Sequence, residues 1–363
     1  METRSSLQKR KPAVKQDQIA DELRSRIVRG RIELGGKLPT RRELQAEFTA
    51  SLQTVQGALD RLAEEGFICV RGSLGTRVTD RPPHLCHYGI VLSGYPPAGT
   101  DAEQNFPRYW TAMVNEAKAL ERRSDRRCTA YYGIDGHTDT EDFQRLTRDI
   151  RSHRLAGLIF PANPFQLRGT PVLETPDLPR VAVMSGPPKR GLATVTLDAD
   201  QLFARALDHL AHRGRRRIAL MASTDRSHES FKAMAERRSL QVEPFWMQAC
   251  PYTAPQFARN IVHLLMHRGQ EPLPDGLFIA DDNLAEYAVA GLIDAGVRAG
   301  VDLDVVAHCN FPWPTPSPVS VTRLGFDARQ ILQACIDSID AQRRGGFTRS
   351  PILVAPVFES EIP

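Results

Sequence analysis

Beyond Pro82-Pro83 the chain alternates between short apolar runs and amphipathic stretches long enough to form helices. Tyr88–Leu92, Thr129–Tyr132, Leu155–Phe160, Val181–Met184, Ala193–Leu197, Ile218–Met221, Leu277–Ala280, Val305–Ala307 and Ile352–Val357 read as strands. Helices are expected near 108–122, 140–153, 200–211, 255–268, 283–295 and 328–342. Apolar strands separated by helices pair in parallel, because crossover helices cover both faces of the sheet. Residues 88–363 are too many for one comfortable sheet, so two lobes are expected. In sheets of this kind ligands sit beyond the carboxyl ends of the strands.

The part before the prolines is different in kind. The net charge of +4 on 363 residues hides an asymmetry. Residues 1–83 hold 16 Lys and Arg against 11 Asp and Glu, while the remaining residues hold 31 against 32. The whole basic excess sits in the first quarter, as expected of an arm and a small domain that face phosphates. Residues 1–16 are polar and basic and read as a disordered arm. From Gln18 onward, Ile19, Leu23 and Ile27 make the apolar stripe of a helix. Thr40 and Glu43 have the spacing of a capping box and open a second helix that carries Leu44 and Phe48. In a third helix, Leu52, Val55, Leu59 and Leu62 point inward while Gln53, Thr54, Gln56 and Asp60 point out. Phe67–Val70 and Thr76–Val78, joined by a glycine-flanked turn, read as a hairpin.

Three helices and a hairpin make a winged helix-turn-helix, whose third helix can enter a major groove about 12 Å wide; an interaction module is the alternative that this pattern leaves open. Short polar side chains near the start of that helix suit phosphates and base edges, and Arg41, Arg42, Arg71 and Arg77 flank it. The run Leu38-Pro39-Thr40-Arg41-Arg42-Glu43-Leu44 is followed by Ser51-x-x-Thr54-Val55-x-x-Ala58-Leu59-x-x-Leu62-x-x-Glu65-Gly66 and Gly75-Thr76-x-Val78. Over 17–79 this series resembles the GntR-type DNA-binding domain. The resemblance implies that Thr40, Arg41, Arg42, Ser51, Gln53, Thr54, Gln56, Arg71 and Gly75 form the surface that meets double-stranded operator DNA. Leu52 stands where that family commonly has arginine, so base readout is expected to pass to Gln53 and Gln56.

In the larger part the loops after strands carry the polar and aromatic residues. Asn105, Phe106, Tyr109 and Trp110 follow the first strand, and Pro161, Asn163 and Phe165 the third. Ser185, Asp198, Asp282, Asn310 and Trp313 lie at or beyond later strand ends. Aromatic faces beside carboxylates and amides suit a polyhydroxylated ligand.

Leu197-Asp198-Ala199-Asp200, Asp208-His209-Leu210-x-x-Arg213-Gly214 and Leu277-Phe278-Ile279-Ala280-Asp281-Asp282 follow one another in order. With Gly296-Val297 and Asp304-Val305-Val306, they are similar to the LacI/GalR-type effector domain. That resemblance, over 86–358, implies a two-lobed fold closing on a small-molecule effector, a sugar or related metabolite. Asp282 is then the hydroxyl-binding carboxylate. Asn105, Phe106, Tyr109, Asn163, Ser185, Asp198, Ser227, Trp246 and Asn310 are the remaining effector contacts. Ser227 aligns with the family's ligand-gripping arginine, and Cys309-Asn310 with its second carboxylate.

Other chemistries lack their residues. His263 and His267 have zinc-pair spacing but no third ligand, so no metal is expected. Arg213–Arg217 reads as a solvated helix-to-strand connection. There is no G-x-S-x-G, P-loop or G-x-G-x-x-G, so neither catalytic residues nor a cofactor are expected. Six scattered cysteines, no apolar leader and no membrane-length apolar window predict a cytoplasmic protein that stays off membranes.

The expected architecture is an α/β effector core of two lobes, periplasmic-binding-protein-like of type I, preceded by a small α+β winged helix-turn-helix domain. The divisions are an arm over 1–16, a head over 17–79, a stiff linker over 80–87 and a core with dimerisation over 88–363. The expected function is a ligand-responsive transcriptional repressor acting as a homodimer. Two alternatives stand beside it: a constitutive DNA-binding regulator with a ligand-free core, and an enzyme or solute-binding protein with an accessory head.

Overall fold

A computed structural model describes residues 15–70, 72, 75–96, 106–186, 192–267, 269–346 and 350–362. Residues 1–14 of the expected arm lie outside this set, and Lys15 already opens the first helix. In the head, α1 (Lys15–Val28), α2 (Arg41–Phe48) and α3 (Leu52–Glu64) pack beside the antiparallel pair β1 (Ile68–Val70) and β2 (Thr76–Val78). Ile19, Leu23 and Ile27 of α1 meet Leu44, Val55, Leu59, Leu62, Phe67 and Val78 in one buried cluster. One expectation fails here: Leu52 is 54% exposed rather than inward-facing. It stands at the first position of α3, where the helix has not yet turned onto the core.

A short helix, α4 (Pro83–Cys86), occupies the linker and runs directly into β3 (His87–Val91). The first lobe continues through α5 (Arg108–Arg123), β4 (Arg127–Tyr131), α6 (Glu141–Arg151), β5 (Gly157–Phe160), α7 (Pro171–Glu174), β6 (Arg180–Val183) and β7 (Ala193–Leu197). The second comprises α8 (Ala199–His212), β8 (Ile218–Ala222), α9 (His228–Glu236), β9 (Met247–Ala249), α10 (Phe257–Leu265), β10 (Gly276–Ile279), α11 (Asp282–Asp294), β11 (Asp304–Phe311) and β12 (Thr322–Asp327). The chain closes with α12 (Ala328–Arg343), β13 (Ile352–Val354) and β14 (Val357–Phe358).

Two six-stranded sheets result, ordered β13-β7-β6-β5-β3-β4 and β14-β12-β11-β10-β8-β9. Neighbouring strands in both sheets pair in parallel except β12 with β14. The two-lobe expectation therefore holds, and the segment expected as one strand over 352–357 proves to be two. β13 joins the first lobe and β14 the second, so the chain crosses between lobes a third time here, after β7 and after β12. The sequence reading also missed β9 and β12. Residues 322–327 carry Arg323 and Gly325 and do not read as an apolar run, although Leu324 and Phe326 are buried.

Gly325 is required by close approach. A Cβ there would lie 1.8 Å from the Cys309 carbonyl oxygen on the paired strand. Gly325→Ala must therefore push β12 away from β11, and we expect a loss of about 1–3 kcal/mol in chemical denaturation, an overpacking cost. Wild-type stability in this variant would mean that the two strands are not held in this register.

Candidate DNA-reading face and effector cleft

In the head, local chemistry sets the starts of α2 and α3. The Thr40 hydroxyl accepts from the Glu43 amide at 3.3 Å, and the Thr40 amide donates to the Glu43 carboxylate at 2.6 Å. This capping box starts α2, and the backbone bond to Thr40 holds the Glu43 carboxyl below its usual range. Ser51 caps α3 in the same manner, its hydroxyl accepting from the Thr54 amide at 3.1 Å and lying 2.8 Å from the Thr54 hydroxyl. Arg41, Arg42, Ser51 and Gln53 are exposed around these two helix starts. Amides free at a helix N-terminus suit phosphate oxygens.

Gln56 behaves differently. Its carbonyl accepts from Arg41 Nε at 2.5 Å and its amide donates to Asp60 at 2.6 Å. In this state Gln56 positions Arg41 instead of presenting a free edge. Gly75 holds φ +80° in the hairpin turn, a conformation that favours glycine. Arg71 lies outside the described residues.

The cleft is built from strand ends of both lobes. Asp282, at the start of α11, is 3% exposed and accepts from the Asn310 amide of β11 at 2.6 Å. β11 outruns β10 by four residues, which carries Asn310 to that carboxylate. Burial raises the Asp282 carboxyl above the ordinary carboxylate range. Asp281 adds to the rise, while His308, Asn310 and Arg108 oppose it. Across the gap, the first amide of α5 donates to Asn283 at 2.9 Å, and the Arg108 guanidinium reaches Glu286 at 2.8 Å and Thr315 at 3.2 Å. The lobes thus touch along one rim.

Arg108 was not foreseen, although a signal existed: a cation in the first turn of a helix opposes the helix dipole and is there for a tertiary partner. Phe106 packs edge-on to Trp110 at 5.4 Å and near Tyr132 at 6.1 Å. The Tyr109 hydroxyl is buried, has no hydrogen-bond partner among the described residues and is pushed well up by that burial.

The remaining expected contacts have local roles. Asn163 is exposed and accepts from the Phe165 amide at 2.9 Å, closing a turn. Asp198 caps α8 through the Gln201 amide at 2.9 Å. Ser185 is exposed, and half-exposed Ser227 directly precedes α9, its hydroxyl making no capping bond. Arg226 beside it is exposed. Trp246 requires a correction. It is wholly buried with Met221, Cys250, Val262 and Leu284 in the cluster beneath α10 and α11, so it meets no ligand in this conformation. Asn105 lies outside the described residues. Among the described residues no three His, Cys, Asp or Glu side chains group as metal ligands, and no helix is long and apolar enough to cross a membrane.

Comparison with known proteins matches both parts. Residues 15–78 match the bacterial regulatory proteins of the gntR family, and residues 207–356 the periplasmic binding protein-like domain. The arabinose metabolism transcriptional repressor of Geobacillus stearothermophilus is 23% identical over 98% of this chain and all of its own length. The mannosyl-D-glycerate transport/metabolism system repressor MngR of Escherichia coli is 44% identical over 64 residues, 17% of this chain and 26% of that protein.

A LacI family transcriptional regulator of Lactobacillus casei with bound glucose superposes with a TM-score of 0.54 at 17% identity, covering 75% of this chain and 98% of that one. A LacI family regulatory protein of Chloroflexus aggregans gives 0.55 at 18% identity, covering 75% and 96%. The chain therefore carries a gntR-type helix-turn-helix head joined to a two-lobed core of the periplasmic-binding-protein-like fold.

Proposed function

We propose that this protein is a transcriptional repressor that leaves its operator when a sugar or related metabolite binds between the lobes. The observation that carries this reading is the pairing of an exposed reading face on a gntR-type head with a buried, strand-end carboxylate–amide pair in the core. The relatives point the same way, since the Geobacillus protein is an arabinose metabolism repressor and the Lactobacillus structure holds glucose. Two heads on a homodimer would read two half-sites, with the spacing set by the cores, and the protein would act in the cytoplasm, where the DNA is. An effector changes operator affinity only by the difference in its affinity for the two core states.

In this scheme Arg41 and Arg42 meet phosphates, and Gln53 reads a base edge. Leu52, exposed between Ser51 and Gln53, offers its side chain to a thymine methyl. Asp282 and Asn310 hold ligand hydroxyls. Ser227, where the cationic grip is absent, also supports a second reading in which the core has lost its ligand. Thermal-shift screening with sugars separates the two, because an effector at 100 times its dissociation constant adds about 2.7 kcal/mol. No stabilisation together with unchanged operator binding favours the second.

Two predictions test the site. Binding to DNA protected beside the protein's own gene should lose base preference in Gln53→Ala or Leu52→Ala, by about 1–3 kcal/mol at the contacted pair, whereas Arg42→Ala should weaken all sequences alike and reduce the salt slope by about 1. Identical behaviour of the two classes would misplace the reading face. Asp282→Asn keeps an acceptor for Asn310 and removes a buried charge.

A carboxyl whose folded pKa is raised contributes stability at acid pH that is lost as pH rises through that value. The variant should therefore melt above wild type at pH 7, with a flatter pH dependence, while responding poorly to effector. A lower melting temperature at pH 7 would mean that Asp282 is stabilised as a charge.

A further inference from the structure

The head does not hang free on its linker. Glu65, directly after α3, has a side chain that is 4% exposed and takes bonds from three arginines. Arg24 of α1 reaches it at 2.5 Å and Arg61 of α3 at 3.0 Å, both within the head. The third is Arg154, from the turn between α6 and β5 of the first lobe, which pairs with Glu65 and also with Asp149 at 3.2 Å. Burial alone would raise the Glu65 carboxyl, but Arg154, Arg24 and Arg61 outweigh it and hold it below the usual range.

The linker is pinned beside this hub. Thr79 bonds back to the Phe67 and Gly66 carbonyls, at 3.0 and 2.9 Å, and His84 of α4 stacks on Phe67 at 5.9 Å. Arg343 of α12 donates to the Leu85 carbonyl at 3.0 Å. Burial, with Arg343 and His153 near, pushes His84 down to about 4, so this stack is uncharged at neutral pH.

The contact is narrow. On one side Asp17 and Asp21 of α1 share a crevice of about 750 Å³ with Arg148 and Arg151 of α6. On the other a crevice of about 1300 Å³ runs from Asp60 and Glu64 to Arg126 and Arg127. The head therefore meets the lobe through the Arg154–Glu65 pair, with the Phe67–His84 stack and the Arg81–Asp125 pair at 3.0 Å along the linker, between two open flanks. The docked pose uses α1 and the far end of α3 and leaves Arg41, Arg42, Ser51 and Gln53 exposed.

We propose that Arg154 is a latch by which the first lobe holds the head in one orientation, with the reading face outward, and that loss of this bond frees the head to swing about residues 79–82. Glu65 keeps Arg24 and Arg61 when Arg154 is removed, and Asp149 keeps the Tyr131 hydroxyl at 2.8 Å, so both parts stay folded. Thr79 stays bonded to the head and Arg81 to Asp125 at 3.0 Å, so the swing is a hinge rotation over this short segment, which displaces the reading helix against a fixed half-site.

The test uses the full chain with spin labels introduced through non-canonical amino acids at the exposed positions Gln53 and Glu141. Wild type should show one narrow distance, as should Arg154→Lys, while Arg154→Ala and Arg154→Gln should each broaden the distribution or add a second, longer distance. An unchanged narrow distance in both of the latter, or a broad one in wild type, overturns the latch. The consequence for DNA rests on the repressor reading. On two-half-site DNA the released variants should tolerate altered spacing that wild type rejects, and equal tolerance would show that the latch does not set spacing. Wild-type protein that binds no DNA would remove the repressor reading and leave the latch to be decided by the distances.

Discussion

Parallel pairing decides where this core can put its chemistry. When strands run the same way, their carboxyl ends and the amino termini of the following helices gather on one side of each sheet. Phe106, Arg108, Asp198, Ser227, Asp282 and Asn310 all belong to that side, although they are spread over 205 residues of chain. The opposite side collects strand beginnings, and there the head attaches, at His87 of β3 and at Arg154 before β5. Strand-end side and head side are thus separated by the depth of the first lobe. α12 packs on that lobe and touches the linker through Arg343.

The head obeys a different economy. Two of its helices, α2 and α3, begin with side-chain caps at Thr40 and Ser51. The same caps fix two helix starts around which Arg41, Arg42, Ser51 and Gln53 are exposed. Gln56 shows how little free polar surface remains. Its amide is used up between Arg41 and Asp60, leaving Gln53 and Leu52 as the adaptable positions.

Much of this was legible because periodicity and capping are local. The capping box at Thr40 and Glu43, the stripe of α1 and most parallel strands follow from spacing alone. What escaped depends on long-range contact. β12 is recognisable only by its place beside β11, since Gly325 and Arg323 dilute its apolar pattern. Trp246, expected among the effector contacts, packs beneath α10 and α11 instead. Arg108 and Arg154 find partners across a lobe boundary and a domain boundary, and no spacing rule reports such pairs. The Asp282–Asn310 bond was half visible: both residues were named, but their contact arises from the added length of β11.

The segment that divides into β13 and β14 has a further consequence. Each of these strands lies at the outer edge of its sheet, β13 beside β7 and β14 beside β12. Seven residues, Ile352–Phe358, therefore shield two unpaired edges at once. A nick or deletion there would bare the Ala-Thr-Val-Thr-Leu strand of one lobe together with the edge of the other, and exposed strands of this kind recruit other chains. The same few residues thus tie the lobes together and cover β7 of one sheet and β12 of the other.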